Sequence, residues 1–331
     1  TYSHELGRRH LEQTFPNEVT TVSYENVTEK NIASAMEEAI HAGCNIIFTT
    51  TPTFAQESLR AAITHPEVRI LNCSLNTTHR YIRTYYTRMH EAKFLMGAIA
   101  GEMAENDKIV YIADYPILGT IAQINAFALG AQMTNPRAKV YLEWSTLKEQ
   151  DIEKRIDEID PNCISGKDII VPDDNNHFYG VYHRESGGGE QKNLAMPLCH
   201  WGKFYEELIR IIMAGNWEQD NDVEKAINYW WGMPTGVVDV ICSKKLPAGT
   251  VRLVNVLKHN YKTGQFHTFT DQMYAQGHIL KEKKGETLSP EEVIEMDWLA
   301  ENIIGRIPKI EELQEQAKPV LTQQGIETRK G

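Results

Sequence analysis

The sequence predicts an α/β protein of two lobes, each built on a parallel sheet. Two observations carry that expectation. Short β-rich runs alternate with helical patterns of about 10–15 residues, the rhythm of parallel strands joined by helical crossovers. The alternation restarts near Asn106-Asp107, so two similar lobes follow one another. A length of 331 residues is enough for about two domains with separate cores. The expected division gives 1–106 to the first part of lobe 1, 107–236 to lobe 2, and 237–331 to a return into lobe 1 with a C-terminal segment.

The elements follow in order. Residues 19–23 are a short β-rich run. Thr28 caps a helix with Ile32, Ala35, Met36, Ala39 and Ile40 on one face, the spacing of an amphipathic helix. Gly43 stops it, and 45–49 reads as a fully buried strand. Thr53 and Gln56 have capping-box spacing for a helix whose apolar face is Leu59, Ala62 and Ile63. A strand at 68–71 follows, and the stripe Met89, Ala92, Leu95, Met96, Ile99 and Met103 marks a long helix. The second run has strands at 108–112, 139–142 and 168–171, with helices at 117–133 and 151–159. After Pro172 the rhythm fails: 173–191 is polar and predicts a hairpin whose loop is Ser186-Gly187-Gly188-Gly189. A helix at 200–214, the aromatic run Tyr229-Trp230-Trp231-Gly232 and a strand at 237–242 come next. Near the end, Ser289-Pro290-Glu291-Glu292 opens a helix with a capping serine, a first-turn proline and a box-completing glutamate.

Composition excludes several classes of function. Net charge is −11, from 34 Lys and Arg against 45 Asp and Glu, so the field opposes a polyphosphate partner and argues against nucleic acid. Mean hydropathy is −0.42, and no apolar run reaches the roughly 18 residues of a membrane span. Cys44, Cys73, Cys163, Cys199 and Cys242 are scattered and never spaced as CxxC, which argues against a disulfide scaffold or a cysteine-built zinc site. That usage suits a reducing compartment and a bacterial surface equally. The chain opens at Thr1-Tyr2-Ser3-His4 within a helical pattern, so that no signal peptide or acylated cysteine is seen there carries little weight. No phosphate loop, nucleophile elbow, HExxH or EF-hand spacing occurs, so no catalytic residue, metal ligand or cofactor is expected. Asp173-Asp174 reads as a solvated turn before it reads as a metal site.

The informative positions are the strand exits. In doubly wound sheets, ligands sit just beyond the carboxyl ends of the strands. Those ends here are Thr51-Pro52-Thr53-Phe54, Asp114-Tyr115-Pro116 and Asp173-Asp174-Asn175, with Trp201 and Trp231 in later aromatic segments. Rings mixed with a few directional acceptors suit a flat molecule with polar edges, such as a nucleobase.

The segments Tyr85-Tyr86-Thr87-Arg88-Met89-His90-Glu91-Ala92-Lys93-Phe94-Leu95-Met96-Gly97 and Ile124-Asn125-Ala126-Phe127-Ala128-Leu129-Gly130-Ala131 resemble the basic membrane protein family. So do His200-Trp201-Gly202-Lys203-Phe204-Tyr205, Trp231-Gly232-Met233 and Met296-Asp297-Trp298 with Glu301 and Gly305-Arg306-Ile307-Pro308. Members of that family are substrate-binding proteins of ABC importers, including purine-nucleoside and adenine receptors. The resemblance implies a type I periplasmic-binding-protein fold, two Rossmann-like lobes joined by hinge strands, with the first strand of lobe 1 absent from this chain. It also implies ring contacts from Tyr2, Phe54, Tyr115, Trp201 and Trp231 and polar contacts from Asp174 and Asp239, alongside Thr51 from the first strand exit. Trp298 and Glu301 are expected to anchor the C-terminal segment.

The expected function is therefore capture of a purine base or nucleoside between two lobes, without catalysis. An ABC permease is the expected partner, and an extracytoplasmic, membrane-anchored lipoprotein the expected state. Replacing Trp231 or Phe54 by alanine is expected to weaken binding. Two rival readings use the same fold: a cytoplasmic purine-sensing module of a longer chain, and an α/β enzyme such as a nucleosidase. The second lacks a recognisable acid–base pair or nucleophile.

Overall fold

The computed structural model describes residues 2–75, 81–168, 179–187, 189–217, 227–270, 272–282 and 286–326. In chain order the elements begin with α1 (Tyr2–Thr14), α2 (Ile32–His41), β1 (Ile46–Thr49), α3 (Ala55–Thr64), β2 (Arg69–Cys73) and β3 (Arg83–Thr87). Next come α4 (Met89–Met103), β4 (Lys108–Ala113), α5 (Thr120–Thr134), β5 (Lys139–Trp144), α6 (Ile152–Ile159), β6 (Cys163–Ser165), β7 (Val181–Arg184) and β8 (Gln191–Cys199). The chain continues through α7 (Trp201–Met213), β9 (Tyr229–Trp231), β10 (Val238–Cys242), α8 (Ala248–Lys262), β11 (Gln272–Ala275) and β12 (Ile279–Glu282). It ends with α9 (Pro290–Ile294), β13 (Ile303–Ile304) and α10 (Lys318–Gln324).

These elements form two compact units. One holds Thr1–Thr87 and Cys199–Trp231, the other Arg88–Leu198 and Gly232–Gly331, so the chain passes from unit to unit three times. The position near residue 106, expected as a boundary, lies between α4 and β4, both in the second unit.

The first unit has a four-stranded sheet in the order β1-β2-β3-β9, all parallel. Strand side chains alternate between faces, and the two faces here are covered differently. Ile47 and Ile70 point to α2 and α3, where they join Ile32, Met36, Ala61 and Ala62 in an apolar cluster. Phe48, Tyr85, Tyr229 and Trp231 point the other way, to a layer of rings carried by α7.

The second unit has a seven-stranded sheet in the order β10-β8-β7-β6-β4-β5-β13. β4 pairs in parallel with both β5 and β6, β13 is parallel to β5, and β7 runs antiparallel to β6 and β8. The antiparallel β7–β8 pair is the hairpin expected after Pro172, with Ser186 and Gly187 in its loop. Right-handed crossovers require α5 and α6 to lie on opposite faces of this sheet. They do: Ile156 and Ile159 of α6 pack on Val110, Ile112 and Ile164, while Tyr111 meets Phe127 of α5 edge to face at 5.1 Å.

Helices α4 and α5 are buried nearly all round, which a helix apolar on every face requires. They cross at glycines. A Cβ on Gly97 would stand 1.9 Å from the Phe127 carbonyl oxygen, and one on Gly130 2.0 Å from that of Phe94. Asn125 of α5 is wholly buried; its Nδ2 donates to Trp298 O at 2.7 Å and its Oδ1 accepts from Ala300 N at 2.9 Å, fixing the C-terminal segment through its backbone.

Several expectations are corrected. Residues 19–23 carry no strand, and Val22 is exposed: a β-rich run becomes a strand only where it finds a ladder partner. Thr28 does not cap α2; Asn31 takes the N-cap position, and its Oδ1 accepts from Thr28 N at 2.6 Å in the preceding turn. Thr53 and Gln56 form no capping box, because Pro52–Phe54 is a 3₁₀ turn ahead of α3 and Thr53 Oγ1 lies 3.2 Å from Thr51 Oγ1. Of the strand expected at 168–171, Asp168 is in no strand and 169–171 lie outside the described residues; β6, formed by Cys163–Ser165, was not expected. By contrast Ser289 and Glu292 make both halves of the capping box.

Candidate functional site

The first unit gathers polar side chains and rings at the carboxyl edge of its sheet. Pairing sets Thr49 beside Asn72. On that face Asn72 Nδ2 donates to Thr49 Oγ1 at 2.8 Å and to Thr51 O at 2.9 Å, and Thr49 Oγ1 lies 3.0 Å from Ser58 Oγ of α3. Asn72 and Ser74 are fully buried, yet Asn72 Oδ1 and Ser74 Oγ have no hydrogen-bond partner among the described residues. Buried polar atoms left unpaired cost about 1–3 kcal/mol each, so such a pair at a strand exit is unusual outside a site.

On the opposite face the rings form one layer. Trp201 stacks on His4 at 4.2 Å and receives Tyr85 edge-on at 5.7 Å. Phe204 lies between the two tryptophans, 5.5 Å from Trp201 and 4.5 Å from Trp231. The hydroxyls are linked: His4 Nδ1 lies 2.5 Å from Tyr205 Oη, which lies 3.3 Å from Tyr85 Oη, which donates to Thr49 O at 3.3 Å. Burial pushes both phenols well up and holds His4 neutral, its pKa lowered to about 3.

Thr51, Trp201 and Trp231 therefore belong to one connected group in the first unit. Trp201 is buried and its faces are engaged by protein, whereas Trp231 is half-buried at the end of β9. Phe54 is buried in the apolar cluster beneath α2 and α3, so its ring packs the core. Tyr2 is exposed at the start of α1 and joins neither group.

In the second unit, Tyr115 is half-buried and packs against Leu313, Ala317 and Leu321. Asp239 accepts from Val240 N at 2.8 Å and pairs with Lys258 Nζ at 2.7 Å. Burial favours its neutral acid, but Lys258 and the backbone donor outweigh that and hold its pKa below the usual value. Asp173, Asp174 and Asn175 lie outside the described residues.

Sequence reasoning passed over Asn72, Ser74 and Lys93. Each had a signal: a polar residue inside an apolar run, Ile70-Leu71-Asn72-Cys73-Ser74 for the strand and Ala92-Lys93-Phe94-Leu95 for the helix. Lys93 is buried with its Nζ 2.7 Å from Asp168 Oδ1 and 4.9 Å from the centre of the Tyr111 ring. Burial alone would lower its pKa, but the carboxylate and phenol push it up to about 12.

Among the described residues, no group of three or more His, Cys, Asp or Glu side chains is arranged to hold a metal ion. No helix among them is long and apolar enough to cross a membrane. All five cysteines are unpaired thiols.

Two α/β units threaded three times by one chain are the architecture of the periplasmic-binding-protein folds. Solved structures share the fold. A transcriptional activator of the comK gene from Bacillus halodurans matches with a TM-score of 0.60 and 16% identity over 80% of this chain and 95% of its own. An ABC transporter solute-binding protein from Conexibacter woesei matches at 0.54 and 10% identity over 80% and 92%. One from Aeropyrum pernix matches at 0.52 and 14% over 82% and 89%. The chain belongs to the Bmp family of PnrA-like ABC transporter substrate-binding proteins, whose profile matches residues 1–185, more than half its length. Among characterised sequences it is 25% identical to a purine-binding protein of Brucella abortus over 321 residues, 93% of this chain and 90% of that one. It is 26% identical over 249 residues to a Haloferax volcanii protein named for glucose binding by an ABC transporter, spanning 72% of this chain and 61% of that one.

Proposed function

We propose that this substrate-binding protein captures a purine base or nucleoside and delivers it to an ABC permease from the outer side of the membrane, held there by a lipid anchor. The observation that carries the reading is the similarity to a purine-binding protein along nearly the whole chain. The geometry of the first unit supports it: the carboxyl edge of its sheet carries the half-buried ring of Trp231 and, at the exit of β1, the half-buried hydroxyls of Thr51 and Thr53. A planar ligand with a polar rim suits both, and Trp201, Tyr115 and Asp239 are the further residues proposed to shape its binding. The ligand is bound and released unchanged.

The test is a melting-temperature screen of the purified, ligand-stripped protein against purine bases, nucleosides, sugars and amino acids. A ligand at about 100 times its Kd adds about 2.7 kcal/mol. A shift confined to purines is expected. A shift with glucose alone would replace the purine by a sugar, and release of free base from an incubated nucleoside would make the protein an enzyme.

A further inference from the structure

The second unit has a feature that its packing does not require. From β4 the chain crosses through α5 to β5 on one side, then returns through α6 to β6 on the other. The ends of β4 and β6 therefore flank a topological switch point, where open α/β sheets leave a crevice for ligands. Asp168 stands there, three residues past β6, on a stretch fixed by the bonds Gly166 N to Gly180 O at 2.8 Å and Gly180 N to Lys167 O at 2.7 Å.

Its partner is Lys93, whose side chain is 1% exposed against 28% for that of Asp168. Burying an ammonium costs several kcal/mol, and replacing a buried ion pair by apolar groups is often neutral or stabilising. What the pair supplies in return is a carboxylate with one oxygen fixed. Among the described residues only Lys93 donates to it, and that bond goes to Oδ1; Oδ2 has no donor. An ionised carboxylate only accepts, so the group it recognises carries an N–H or O–H.

We propose that Asp168 is a ligand-contact residue, accepting through Oδ2 a hydrogen bond from a base N–H or a ribose hydroxyl of the bound purine, with Lys93 as its positioning residue. This rests on the purine reading above. Among the described residues, Tyr111 on β4 faces both members of the pair, and Asp114 at the end of that strand acts on Tyr111.

The experiment is calorimetry with a purine base and its nucleoside on the full chain, with a melting curve for every variant. Asp168→Asn is expected to weaken binding at least tenfold. A double variant, Lys93→Met with Asp168→Asn, removes both charges; it is expected to regain the stability lost by Asp168→Asn but not the affinity. Equal loss for base and nucleoside assigns the donor to the base, and loss for the nucleoside alone assigns it to the ribose. Lys93→Met by itself is expected to weaken binding and Lys93→Arg to restore most of it, because arginine keeps a donor for Asp168 Oδ1. A double variant that recovers both stability and affinity, or Asp168→Asn binding within twofold of the parent, overturns the assignment. If the parent protein binds no purine, the functional reading fails and this one with it.

Discussion

His4 shows how one half-buried side chain couples the first unit to pH. Burial lowers its pKa from 6.5 to about 3. The unfolded chain takes up this proton below about pH 6.5 and the folded chain does not until about 3. Stability is therefore full above 6.5 and is lost as pH falls between the two, by at most about 1.4 kcal/mol per pH unit. His90, also lowered to about 3 by burial, contributes with the same sign from the second unit. Melting curves from pH 7 to 5 should fall less steeply for His4→Gln than for the parent; equal slopes would show that the imidazole is not responsible. The two rings singled out from the sequence part company at this scale. Trp231→Ala is expected to weaken purine binding at least tenfold with the fold intact, since a base stacked on an aromatic is worth about 1–3 kcal/mol. Phe54→Ala should instead cost about 3–5 kcal/mol of stability and leave affinity per folded molecule unchanged, read by urea unfolding and calorimetry. The sequence marked Phe54 as a ring at a strand exit and Trp231 as one in a later aromatic segment. It could not tell which one its neighbours would enclose, because that depends on α2 and α3 closing over Phe54. Asn72 and Lys93 were legible only as interruptions of apolar runs, and their partners come from distant segments.

At the level of elements, α4 and α5 depend on their glycines. Where a Cβ would stand 1.9 Å from a backbone carbonyl, no rotamer relieves the clash and the helices must part. Gly97→Ala is expected to cost at least about 3 kcal/mol, the upper range for overpacking, as a lowered denaturation midpoint; a loss under 1 kcal/mol would mean that the crossing adapts. Strands with local apolar runs, such as β4 and β5, were readable to within two residues, and so was the Ser289 cap. The run at 19–23 has equal β character and forms no strand, since local preference cannot supply a ladder partner. β6 escaped the reading because the three residues Cys163–Ser165 are too few to give a local strand pattern.

At the level of the whole molecule, the restart of the β–α rhythm made two α/β units legible, whereas the points where the chain changes unit were not. Nothing in Thr87-Arg88 or Trp231-Gly232 differs locally from an ordinary loop; the change of unit is set by which sheet each strand joins. β9 follows β3 in space but not in the chain, and this bears on how the protein is made. At roughly 5–20 residues per second, β3 leaves the ribosome roughly 7–28 s before β9 can cover its edge. For that interval Tyr85 lacks the rings of α7 and a strand edge stands open, the condition in which nascent chains pair wrongly. The second unit intervenes in synthesis, so the first is completed only after most of its neighbour has been translated, and a chaperone that guards exposed strand edges should bind nascent chains halted between residues 87 and 199.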